Sequence, residues 1–287
     1  MITKPEIFDM TAAPMRIGAV HLKVRDLEAV AAFYQRILGL RKLNEGDRTT
    51  TLGAGNTPLL VLDGDAGLLP GDRRAAGLFH IAFLLPSRAD LARWVRHAAR
   101  EGLRLQGASD HIVSEAFYLA DPESNGIEVY SDRPPAQWLD ADGRIQMTTE
   151  PLDLQALLET AGTDDWAGYP EGGSIGHVHL QVGDRAAADR FYRDVLGFDV
   201  TFTLPGASFY GSGGYHHQLA ANVWNSRGTA RRPARMAGLD LVEIVLRDAA
   251  DIADILARAE EAGLENMTDG TGTILRDPWD IGIRLTH

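Results

Sequence analysis

Apolar and polar residues alternate through "IGAVHLKV" (17–24), as a half-buried strand requires. The next stretch, "LEAVAAFYQRIL" (27–38), changes to the spacing of an amphipathic helix, with Gly39 placed to end it. The same succession returns in "IGHVHLQVGDRAAADRFYRDVLGF" (175–198), where the His-Leu, Asp, Phe-Tyr and Leu-Gly elements fall in register and His21 matches His179, 158 positions on. A weaker pair joins "GLFHIAFLL" (77–85) to "GLDLVEIVL" (238–246). Each is followed by a helical pattern and then by "DPESNGIEVY" or "DPWDIGIRLT". The patterns predict four strand–helix–strands units at 16–63, 77–131, 174–224 and 238–286. Between the second and third, a Pro- and Gly-marked stretch reads as a linker with a short helix near 152–161.

Composition narrows the chemistry. The 287 residues are 45% hydrophobic and 24% charged, with no low-complexity tract, which is a globular composition with room for a sizeable core. A net charge of -12 without a basic stripe argues against nucleic acid. The apolar runs are far shorter than the ~20 residues that span a bilayer, and MITKPEIFDM lacks the apolar core of a signal peptide. The expectation is a soluble cytoplasmic protein, with self-association left open. The absence of cysteine removes disulfides, thiolate metal sites and thiol nucleophiles. Any metal must sit among His, Asp, Glu or backbone oxygens.

Those residue types fall at repeated places. His21, His80 and His179 stand mid-strand among apolar neighbours, each on the opening strand of its unit. Leu241 takes the place of His80 in unit four. Glu128 interrupts "IEVY" on the last strand of unit two, pointing away from the face shared by Ile127 and Val129. Its counterpart in unit four is Arg284. One strand histidine is ordinarily a packed residue. Two histidines and one carboxylate from three strands make the facial triad of non-haem Fe(II) oxygenases, which leaves positions free for substrate and O2.

With these residues in view, the chain resembles the vicinal oxygen chelate superfamily, which holds glyoxalase I, bleomycin-resistance proteins and extradiol ring-cleaving dioxygenases. Its stretch 111–128, "HIVSEAFYLADPESNGIE", is similar to the extradiol dioxygenase signature at His111, Phe117, Tyr118, Asp121, Pro122 and Glu128. It departs at Ser124, where the family prefers Gly or Pro, and at Ser109. The layout as a whole looks most like bacterial two-domain catechol 2,3-dioxygenases. The resemblance implies an α+β fold of four βαβββ modules pairing into two half-open barrels. It groups 10–133 as a first domain, 134–173 as the linker and 174–287 as a second domain.

The resemblance also implies roles. His80 and Glu128 would ligate the metal, Fe(II) or alternatively Mn(II). The third ligand is His179 if unit two pairs with unit three, or His21 if it pairs with unit one. The "GGYHH" of unit three favours His179, because extradiol enzymes keep an acid–base histidine in the unit that gives the first ligand. Only one of His216 and His217 can face the cup, since successive strand residues point to opposite sides. Tyr118 would assist catalysis, and His111, His177, Phe79, Phe117, Phe209 and Trp224 would contact substrate. The implied reaction inserts O2 into catechol or a substituted catechol. A glyoxalase-type lyase or isomerase, which generally needs four protein ligands, and a non-catalytic binding protein are the alternatives.

Overall fold

The computed structural model describes residues 7–287. Unit one runs β1 (Met15–Val24), α1 (Leu27–Leu38), β2 (Arg41–Glu45), β3 (Thr49–Ala54) and β4 (Thr57–Gly64). Unit two is β5 (Gly77–Leu84), α2 (Arg88–Arg100), β6 (Gly107–Asp110), β7 (Ser114–Ala120) and β8 (Gly126–Asp132). The connecting segment carries α3 (Leu154–Leu158), inside the stretch where a helix was expected. Unit three is β9 (Ser174–Gln181), α4 (Arg185–Asp189), β10 (Asp199–Leu204), β11 (Ala207–Gly211) and β12 (Leu219–Asn222). Unit four is β13 (Gly238–Leu246), α5 (Ala249–Glu261), β14 (Asn266–Thr268), β15 (Thr273–Arg276) and β16 (Gly282–Thr286).

Each unit helix starts on a short polar side chain that accepts a backbone N–H of the first turn: Asp26, Ser87, Asp184 and Asp248. Gly39 ends α1 at φ +72°, a left-handed conformation that glycine adopts without strain.

The sixteen strands form two curled sheets. Units two and three share one, in the order β10-β11-β12-β9-β5-β8-β7-β6. Units one and four share the other, in the order β14-β15-β16-β13-β1-β4-β3-β2. The opening strands pair antiparallel at each centre, β5 with β9 and β1 with β13. The boundaries 10–133 and 174–287 therefore divide the sequence, while each half-barrel draws one unit from either side. The long connection allows this, because neighbours in space need not be joined by the shortest loop.

Strand alternation sorts the two faces. Ile81, Phe83, Ile127, Val129, Val178 and Leu180 all lie in the main core, packed with the helices. The residues between them, including His80, Glu128, His177 and His179, face into the cup. No helix among the described residues is long and apolar enough to cross a membrane.

Candidate metal centre

Three strands of the inner half-barrel bring one row of residues together. Across β8, β5 and β9 the register sets Glu128 opposite Ala82, and Ala82 opposite His177. The methyl of Ala82 leaves the space above it open. His80, two residues earlier on β5 and on the same face, fills that space from the side. His80 Nε2 lies 3.0 Å from Glu128 Oε2. His177 Nε2 lies 3.3 Å from the same oxygen and 3.3 Å from His80 Nε2. All three side chains are buried.

The register also accounts for what does not arrive. His179 is the Cα partner of His80, one step along the strand from the row that holds Glu128. Two residues of strand amount to ~6.6 Å, and His179 Nε2 instead accepts a hydrogen bond from Asn222 Nδ2 at 3.0 Å. His179 is thus set apart from the triad, and the third histidine is His177, for which a substrate-contact role was expected. His21 belongs to the other half-barrel, where its Nε2 meets Glu243 at 2.8 Å. There Arg284 is paired with Glu243 at 2.9 Å, so the outer cup closes on an ion pair.

The inner set suits a divalent cation. Bonds of ~2.1 Å at right angles place neighbouring donor atoms ~3.0 Å apart, and the observed separations are 3.0 and 3.3 Å. The electrostatics agree. Burial alone would push Glu128 toward its protonated form, but the facing His177 and His80 override it and hold the carboxyl well below the usual range. Burial drives His177 down to about 4, with Glu128 acting against it, so at neutral pH it offers a lone pair.

Around the triad a cavity of about 430 Å³ opens, lined by His111, Tyr118, His217, Phe209 and Trp224 among others. Its volume is typical of small-molecule sites. Two hydrogen-bond chains enter it. The Thr148 carbonyl can only accept, so His111 Nδ1–H donates to it at 2.6 Å. His111 Nε2 is then an acceptor and takes the Tyr118 hydroxyl at 2.5 Å. Ile112, beside His111, sits at φ +70°, a strained backbone for a β-branched residue and one that tends to mark functional sites.

The second chain starts at Asp132. Its carboxylate accepts His216 Nε2–H at 2.8 Å, which leaves His216 Nδ1 to accept from His217 Nδ1–H at 2.8 Å. His217 Nε2 then carries a lone pair, on a ring that lines the cavity while His216 stands behind it. Burial also lowers His217 and His179 well below the usual histidine range, so both rings are neutral.

The structure separates the remaining expected residues. Phe79, Phe209 and Trp224 line the cavity. Phe117 does not, because it alternates with Tyr118 and packs in the core against Trp94. The "YHH" stretch, readable as a solvated hairpin tip, is buried against Trp138 of the connecting segment. That segment supplies Met147, Thr148 and Thr149 to the cavity wall, which its linker-like composition did not signal. The sequence does not separate His177 from His179, since each directly precedes a core-facing residue, Val178 or Leu180, and matching units one and three singled out His179.

A family model described as the Glyoxalase/Bleomycin resistance protein/Dioxygenase superfamily matches residues 16–129 and 174–285. The chain is 38% identical over 268 residues to a catechol-2,3-dioxygenase of Bacillus subtilis (strain 168), covering 91% of this chain and 93% of that one. Among solved structures, a protein of Bacillus subtilis subsp. subtilis str. 168 has a TM-score of 0.65 at 14% identity, with 94% of this chain and 84% of that chain covered. Glyoxalase I from Zea mays gives a TM-score of 0.57 at 16% identity, with 95% and 92% covered. These two likenesses bear on the fold.

Proposed function

This chain belongs to the glyoxalase/bleomycin resistance protein/dioxygenase superfamily, and from that premise we propose that it is an extradiol ring-cleaving dioxygenase acting on catechol or a substituted catechol. The observation that carries the reading is the convergence of His80, Glu128 and His177 in one cavity, in a chain whose 38%-identical relative is a catechol-2,3-dioxygenase. In this reading the three residues hold Fe(II). When bound, Fe(II) supplies open coordination positions and electron exchange between the diol and O2.

The chain's own residues supply the rest. One carboxylate ligand beside two imidazoles would leave a bound divalent ion near +1, which favours an anionic diol. His217 takes a diol proton at Nε2, the atom that the Asp132–His216 chain leaves unprotonated. It returns the proton as the ring opens. Tyr118 gives its hydroxyl proton to His111, so its oxygen faces the cavity as an acceptor for a substrate hydroxyl. Phe79, Phe209 and Trp224 exclude water and hold the ring. His179 contributes to that wall.

A glyoxalase-type site is disfavoured, because Glu128 is the single carboxylate among the described residues that line the cavity. The test is oxygen uptake by anaerobically purified, Fe(II)-loaded protein given catechol. Uptake with a yellow ring-opened product is expected, and its absence with every catechol tried refutes the reading.

A further inference from the structure

A second cavity, of about 310 Å³, lies at the seam between the half-barrels and backs onto the cup. The two cavities share Phe79, His80 and Tyr118 as a wall. They differ in charge. None of the described residues that line the cup is Lys or Arg, whereas Arg73 and Arg232 line the second cavity. Arg73 is exposed and Arg232 is half-buried. The guanidinium of Arg232 lies between the first residues of β5 and β13. A methyl group added at Gly238 would stand 2.8 Å from its Nη1, and one at Gly77 3.4 Å from it.

The charge on Arg232 has no close counter-charge among the described residues. Its Nη1 and Nη2 donate to the Ala237 and Leu239 carbonyls, which take two of its five N–H groups and carry no net charge. The acids that act on it from a distance are Asp240, Asp280 and Asp277. Asp240 is paired with Lys23 at 2.6 Å, Asp280 faces Arg276 at 3.7 Å and Asp277 accepts from Tyr192. The cavity's own carboxylates are also engaged. Asp72 accepts the Arg74 N–H at 2.8 Å. Glu123 accepts those of Arg25 and Asp26, each at 2.7 Å, and its second oxygen is sealed from solvent. Burial makes an unmatched cation costly, and that cost falls when an anion enters beside it.

We infer that this cavity binds a small organic carboxylate on Arg232, and that its ligand is the acid released by ring cleavage. The choice of ligand rests on the diol-cleaving reading and deepens it. Extradiol cleavage breaks the ring bond beside the diol and adds one atom of O2 to each severed carbon. An uncharged catechol becomes a chain with a carboxylic acid at one end and a carbonyl at the other, and the acid is ionised at neutral pH. The cup offers that new charge no cationic side chain. The neighbouring cavity offers Arg232, with Leu78, Ile127, Met236 and Leu239 for the carbon chain. A planar guanidinium matches a carboxylate in shape as well as charge. Inorganic phosphate is the poorer fit, because its second negative charge adds repulsion from Asp72 and Glu123 on the same walls.

The test is calorimetric binding to the Fe(II)-loaded protein, kept free of oxygen and saturated with catechol so that the cup is filled. The probes are sorbate, which is a conjugated monocarboxylate of the product's length, its uncharged alcohol, and inorganic phosphate. Sorbate is expected to bind at least about tenfold more tightly than the alcohol or phosphate, and Arg232→Gln to lose that preference with catechol binding unchanged. Where Arg232→Gln does not fold, sorbate against its alcohol on the unaltered protein still decides. Equal binding of sorbate and alcohol, tighter binding of phosphate, or an unchanged preference in folded Arg232→Gln overturns the inference. Sorbate displaced by catechol also overturns it and leaves the diol reading standing. The yellow product of catechol, added in excess, is expected to displace sorbate, and a product that does not displace it overturns the choice of ligand. Absence of catechol binding refutes the diol reading, and sorbate that still binds through Arg232 then upholds the carboxylate site without that source.

Discussion

Tyr192 donates its hydroxyl to Asp277 at 2.9 Å, across the seam between the two half-barrels. Tyr34 repeats the relation to Asp121 at 3.4 Å. The tyrosines are those of the duplicated Phe-Tyr pair, and the aspartates those of the duplicated Asp-Pro turn. Each contact joins a helix of one half-barrel to a turn of the other, so this part of the repeat holds the halves together rather than building the cup.

Burial pushes Asp277 up to about 6 from its ordinary 3.8, against hydrogen bonds from Ile281, Tyr192 and Trp279. Its proton is therefore held more tightly in the folded chain than in the unfolded one. The group favours folding most below about pH 4, and that contribution is lost as pH rises to about 6. Above pH 6 the ionised carboxylate costs ~3 kcal/mol. Asp277→Asn keeps an oxygen for the two backbone donors and removes the charge. It is expected to flatten the fall in melting temperature between pH 4 and 6 and to leave stability at pH 7 equal or higher. A variant several degrees less stable at pH 7 would sink the account.

Ser124 stands at φ +69° in the turn before β8. This is the position where the signature prefers Gly or Pro, and the backbone explains the glycine preference, because a side chain is strained there. Ser124→Gly is expected to stabilise the chain by ~1 kcal/mol, read as a higher urea midpoint with an unchanged slope. A lower midpoint contradicts the strain argument.

His177→Ala and His179→Ala separate two neighbours on one face of β9. The first removes a donor of the triad, and retained iron after gel filtration is expected to fall below about a tenth of the parent's. The second leaves the donors in place and is expected to keep most of the metal while weakening catechol binding. Loss of metal in His179→Ala with retention in His177→Ala reverses the assignment.

Asp132→Asn acts two residues away from the reacting atoms. It gives His216 a partner that can donate as well as accept, and so loosens the proton arrangement that leaves His217 Nε2 free. A fall in kcat of about 10²-fold with little change in KM is expected from steady-state oxygen uptake. Unchanged kcat would remove the chain from the mechanism.

Much of the fold was legible, because it rests on local signals. Alternation put Ile127 and Val129 on one face and Glu128 on the other, and Gly39 marked where the first unit's helix ends. The same alternation should have sent Phe117 to the core once Tyr118 was placed in the cup. The pairing of units and the choice of His177 were less legible. They depend on which residue of β9 stands opposite Ala82, a long-range register that the internal repeat does not encode. In the other half-barrel the equivalent positions are Ala19, Leu241 and Arg284, so the duplicated sequence carries no second copy of the triad. The wall contributed by Met147, Thr148 and Thr149 was hidden in a segment with the composition of a linker.

The most direct test of the whole account measures oxygen consumption and catechol loss together, with protein loaded to one Fe(II) per chain. The account predicts one O2 consumed per catechol with a yellow product, and loss of both in Glu128→Gln. Iron-loaded protein that binds catechol yet consumes no oxygen, or Glu128→Gln that retains full turnover, would contradict it.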